Sequence, residues 1–125
     1  MKRVVLVIGV FLLVGCNCSD AELKEIDRKS LRNFNLAKAY IDSGMMTEAS
    51  EKLALLEELL PGEAFVYANQ GLIALRQNNL EHATLLLERA AALQPNSPEI
   101  ALLQGQTAML TGDFDGARQL LHKAV

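Results

Sequence analysis

Residues 71–87 read GLIALRQNNLEHATLLL, and the same pattern stands 34 residues earlier at 37–53 (AKAYIDSGMMTEASEKL) and 34 residues later at 105–121 (GQTAMLTGDFDGARQLL). Small residues hold two columns, first Ala37, Gly71 and Gly105, then Ala49, Ala83 and Ala117; Leu53, Leu87 and Leu121 hold a third. Tyr40, Ala74 and Ala108 align, as do the turn formers Gly44, Asn78 and Gly112, and Pro61 precedes Pro95 by the same period. A fixed repeat of this length points to stacked helix-turn-helix units, each burying its apolar face against a neighbour.

The second copy predicts helices from about Ala64 to Gln77 and from Leu80 to Leu93, with Leu80, Ala83, Leu86, Leu87 and Ala90 at helical spacing. Between them Asn78 suits a left-handed backbone conformation, which Gly44 and Gly112 adopt without a Cβ penalty. Close helix crossing calls for little bulk, so Gly71 is expected to face small neighbours with Ala83 at the opposing point. Ala90 and Ala124 fall at the contact with the next repeat. Leu56 departs from that column, so the first interface is either wider there or shifted in register.

Pro61 and Pro95 close the second helices, because proline in a helix interior costs roughly 3 kcal/mol. Ser97 is an N-cap candidate, and Pro98 at the first helical position leaves no amide unsatisfied. The third pair should run from about Pro98 to Leu110 and from about Phe114 to the end. No strand-like alternation interrupts these patterns, and the expected fold class is all-α.

The N-terminus reads differently. Lys2 and Arg3 precede an apolar run, Val4 to Val14, that is shorter than the about 20 residues needed to span a bilayer. It ends in Leu13-Val14-Gly15-Cys16, which resembles the lipobox of bacterial lipoproteins. The resemblance implies a signal peptide over 1–15 and acylation of Cys16 with fatty chains such as palmitate. Each buried CH2 of an acyl chain contributes about 0.8 kcal/mol, so several chains hold a protein on a membrane. Asn17, by resemblance to enterobacterial lipoproteins, favours the periplasmic face of the outer membrane. Cys18 is then the sole remaining thiol, which rules out an internal disulfide.

Residues 16–29 form the lipidated N-terminus and a charged tether, with Ser19 and Glu22 at capping-box spacing. Residues 30–125 form the repeat domain, with copies at about 30–63, 64–97 and 98–125, the last incomplete. Loss of Lys2 and Arg3 takes the formal net charge from −3 to −5. A mildly acidic chain without a Lys/Arg block argues against nucleic acid as a partner.

The columns are similar to those of the tetratricopeptide repeat (TPR) family. The resemblance implies an α-solenoid whose first helices line a concave, partner-binding groove. Projected onto this sequence, the groove comprises Leu31, Phe34, Lys38 and Ile41; Phe65, Ala68, Asn69, Leu72, Leu75 and Arg76; and Glu99, Leu102, Leu103, Gln106 and Met109. A mostly apolar face of this kind suits an apolar helix or peptide of a partner protein, or is covered by a neighbouring repeat, the N-terminal segment or a second copy of the chain. The chaperone-type clamp for acidic C-terminal peptides requires Lys and Asn on the first inner helix, Asn on the second, and Lys and Arg on the third. Only Asn69 matches; Phe34 and Lys38, and later Glu99 and Leu103, stand where the others would.

Chemistry finds little support in the residues. His82 and His122 occupy different columns without a metal-binding companion, and Glu57 and Glu58 diverge as helix neighbours. No glycine-rich phosphate loop is present, and Met45-Met46 fits a cap over the core. The expectation is a non-enzymatic scaffold without cofactor or metal. In layout (lipobox, tether, array) it is similar to lipoproteins of type IV or Flp pilus assembly. The alternative is an adaptor for an envelope hydrolase or protease, or the N-terminal part of a larger enzyme. The third copy ends at Val125 without a polar cap, which suggests a continuation, a partner or a homo-oligomer through the last repeat.

Overall fold

The computed structural model describes residues 20–125, with side chains from residue 24. The signal segment, Cys16, Cys18 and Ser19 lie outside the described residues. The helices are α1 (Asp20–Asp42), α2 (Met46–Leu59), α3 (Ala64–Arg76), α4 (Leu80–Leu93), α5 (Pro98–Thr111) and α6 (Phe114–Lys123). Among the described residues there is no strand, and no helix is long and apolar enough to cross a membrane. The tether does not end where the repeat begins: α1 runs unbroken from Asp20 through the first copy, and residues 24–29 are exposed.

The turns inside the three pairs are built alike. Gly44, Asn78 and Gly112 all have positive φ, at 78°, 59° and 87°. In each case the next amide reaches back five residues: Met45 to the Tyr40 carbonyl, Asn79 to Ala74 and Asp113 to Ala108, at 2.8, 2.8 and 2.9 Å. The left-handed residue thereby turns the chain while satisfying a carbonyl at the helix end. Asn79 then caps α4 by accepting from the His82 amide, and Asp113 caps α6 by accepting from Gly116. Met45 stands at the equivalent position before α2 and provides no side-chain cap; Met46 packs on the core. Ser97 accepts from the Ile100 amide, with Pro98 at the start of α5.

Within each pair the small columns do two separate jobs. A Cβ on Gly71 would lie 2.9 Å from both Cγ and Cδ2 of Leu87, and one on Gly105 would lie 2.7 Å from Cγ of Leu121. The expectation that Gly71 faces small neighbours is therefore corrected: the glycine column makes room for the leucine column. Ala83 instead shares a buried cluster with Ala74 and Leu86, so small meets small at that second crossing point. In the first pair Ala37 and Leu53 are both buried in one cluster with Ile41, Ala49, Leu56, Val66 and Ile73.

The two junctions between repeats differ. Ala90 packs with Ala64 and Ile100, and α4 lies along α5 over an extensive contact. Leu56, fully buried, stands where Ala90 does and packs in the cluster that holds Val66 and Ile73; α2 meets α3 less extensively than α4 meets α5. A leucine holds two helix axes farther apart than an alanine, so the first junction is the wider one. The inner helix α3 also touches α5, whereas the outer pairs α2 with α4 and α4 with α6 are not in extended contact. At the second junction the inner helices approach while the outer ones splay, which makes the face concave there; α1 and α3 are not in extended contact.

Candidate functional site: the concave face

Three inner helices supply the face, and its first third is the most structured. The rings of Phe34 on α1 and Phe65 on α3 meet edge to face, with centroids 5.2 Å apart and planes at 81°. Nζ of Lys38, one turn beyond Phe34, sits 5.7 Å from the centre of the Phe34 ring, within cation–π range. Beside this pair opens a cleft of about 400 Å³ lined by Ser30, Leu31, Phe34, Leu60 and Phe65. It lies at the widened first junction. Leu60, in the loop after α2, closes one side, whereas its counterpart 34 residues later is Gln94.

The predicted groove residues separate into three groups. Leu31, Lys38, Leu102, Gln106 and Met109 are exposed, Leu31 at 61% and Met109 at 50%. Phe34, Phe65, Ala68, Asn69, Leu72, Leu75 and Leu103 are half-buried, with Phe34, Phe65 and Leu72 packed on the core from the concave side. Asn69 uses its side-chain amide to donate to the Phe65 carbonyl at 2.7 Å. Ile41 leaves the projected groove altogether: it is 3% exposed and belongs to the core. Glu99 is exposed at the start of α5, so the third inner helix offers an acid where a clamp would place a cation.

Arg76 has a structural duty. Its Nη1 donates to the Ile41 carbonyl at 2.8 Å, fastening the end of α3 to the end of α1. The Ile41 carbonyl also accepts from the Gly44 amide at 3.1 Å, so the guanidinium takes the second lone pair of a carbonyl at the helix end. Arg76→Met keeps the aliphatic stem and removes the donor, and is expected to lower stability by about 1 kcal/mol in urea unfolding. A side chain serving only a partner would leave that midpoint unmoved.

The projection missed Ser30 and Leu60. Leu60 was detectable, because an apolar residue replaces the polar one its column carries later. Ser30 gave no such signal; its counterparts are Ala64 and Pro98. Two further depressions lie elsewhere: one of about 390 Å³ on the outer side, among Ser50, Glu57, Tyr67, Gln70, His82 and Arg89, and one of about 470 Å³ by Met109, Phe114 and Leu121. In the first, Gln70 donates to Glu57 at 3.2 Å. His82 and His122 are exposed, and no group of three or more His, Cys, Asp or Glu among the described residues is placed to hold a metal.

Residues 74–125 match the tetratricopeptide repeat family. The fold is similar to that of the TPR2B domain of yeast Sti1, solved in a pHsp70 complex, with a TM-score of 0.71 and 15% identity over 78% of each chain. It is also similar to the second TPR of Spaghetti (RPAP3) bound to the HSP90 peptide SRMEEVD: TM-score 0.70, 16% identity, 81% of this chain and 95% of that one. MamA gives a TM-score of 0.67 and 24% identity over 76% of this chain and 56% of that one. Comparison with curated proteins gives no match. The described chain is thus an all-α, TPR-type helix-turn-helix array.

Proposed function

We propose that this chain is a membrane-anchored scaffold whose concave face docks an apolar helix or peptide of a partner protein, in the assembly or localisation of an envelope machine such as a pilus or secretion system. The observation that carries the docking half is the apolar lining of the inner helices: Leu31 on α1 and Leu102 and Met109 on α5 are exposed, and Phe34, Phe65, Leu72 and Leu75 between them are half-buried. A contiguous open apolar patch on a folded chain marks a contact surface. Two of the similar structures hold ligands named for Hsp70 and HSP90. Here Glu99 and Leu103 replace the cations that a clamp for an acidic tail would use, so the favoured partner is apolar. The anchoring half rests on the lipobox-like segment ending at Cys16, and Asn17 supports an outer-membrane address.

Capture from detergent-solubilised membranes is expected to recover secretin or pilus components with the full chain. Recovery of a peptidoglycan hydrolase or protease instead would replace the assembly role with the adaptor alternative. Cys16→Ser is expected to move the protein from the membrane to the soluble fraction, and retention on the membrane would refute the lipid anchor.

A further inference from the structure

We propose that the cleft at the first junction is an anchor pocket for an extended segment carrying a bulky apolar residue and, two positions from it in either direction, Asp or Glu. This rests on the concave face being a peptide-docking surface and names the chemistry it selects.

Three observations converge on the cleft. Its wall is made by Leu31, Phe34, Leu60 and Phe65, and its volume of about 400 Å³ falls in the roughly 300–1,000 Å³ range of sites that enclose a ligand. Ser30 lines the same cleft, is 7% exposed, and its Oγ has no hydrogen-bond partner among the described residues. A buried hydroxyl without a partner is costly, and the main-chain carbonyl of a residue entering the cleft would satisfy it. The third is charge. Lys38, one turn beyond Phe34 with its Nζ over that ring, is exposed and has no carboxylate within ion-pairing distance among the described residues.

The spacing follows from helix and strand geometry. Phe34 and Lys38 are four residues apart on α1, about 6 Å along the axis. An extended peptide advances about 3.3 Å per residue, so an anchor beside Phe34 brings the second residue beyond it to Lys38. A single cation suits one side-chain carboxylate and does not recreate a multi-cation clamp.

The test is selection of a phage-displayed random dodecapeptide library on the full chain in dodecyl maltoside, followed by titration of the most enriched peptide. Enriched peptides are expected to share Leu, Ile, Met or Phe two residues from Asp or Glu. Ser30→Ala should weaken the titrated peptide about five- to tenfold. The same variant should hold or raise the urea midpoint, because it removes an unpaired buried hydroxyl; a fall in the midpoint would make Ser30 structural and overturn its role. Lys38→Glu should reverse the preference, favouring a peptide with Lys in place of the acid. Enriched peptides without the spaced pair overturn the anchor, as does binding indifferent to Ser30→Ala and Lys38→Glu yet lost in Leu102→Asp. That last pattern leaves the concave face as the docking surface, whereas failure to enrich any peptide overturns both.

Discussion

Leu87→Ala is expected to lower the stability of the array by about 2–5 kcal/mol, the range for truncating a buried leucine in a close-packed core. Leu87 is fully buried, and a methyl at position 71 would lie 2.9 Å from its Cγ as the leucine now stands, although the first pair accommodates Ala37 and Leu53 in the same columns. Gly71→Ala alone should therefore cost about 1–3 kcal/mol by overpacking. The sign is informative. In a helix interior the same change ordinarily gains about 0.5–1 kcal/mol from reduced backbone entropy and better propensity, so a stabilised Gly71→Ala protein would refute the close crossing. In the double variant the new methyl enters the space left by the leucine, and the combined loss should fall at least about 1 kcal/mol short of the sum. Urea unfolding of all four proteins measures this. Small domains hold about 5–15 kcal/mol in total, so Leu87→Ala alone consumes a large share of it.

Leu56→Ala tests the widened junction and is expected to alter both stability and binding. Leu56 is as buried as Leu87, but its counterpart Ala90 shows that a junction of this kind can close around alanine. If α2 and α3 settle together, the cavity shrinks and the loss stays near the lower end of the 2–5 kcal/mol range, since the cost depends on how far a site collapses. Settling also narrows the cleft between Leu31, Leu60 and Phe65, although Leu56 is not among the residues that line it. Peptide affinity should then fall about tenfold, read by titration of a peptide selected on the parent protein. A loss near 5 kcal/mol with unchanged affinity would show that the leucine fills space without setting the width. The reciprocal change, Ala90→Leu, should cost about 1–3 kcal/mol by forcing the tight junction apart.

The pairing of helices and their turns was legible at the level of single residues. Asn78 was expected in the left-handed region and has φ 59°; α4 spans the expected Leu80–Leu93, and α5 begins at Pro98 behind Ser97. The caps by Asn79 and Asp113 are equally readable, as a polar acceptor directly after Asn78 and Gly112. The site was less legible. Projection of a helix face placed Phe34, Lys38 and Phe65 together, but it also placed Ile41 in the groove, where the structure buries it, and it did not show that the exposed Arg76 spends one donor on a neighbouring helix end.

The difference is one of range. Helical period, φ preference, capping and proline stops involve residues within one turn of each other, so the 34-residue register alone carries helix content, turn positions and the order of the pairs. The all-α array follows from those local terms. How far apart successive pairs stand depends on contacts between side chains separated by a whole repeat. Leu56 against Val66 and Ile73, Ala90 against Ala64 and Ile100, and the Arg76 bond to Ile41 exist only once the repeats have stacked. Those contacts set the width of the first junction, and with it the cleft beside Phe34 and the burial of Ser30.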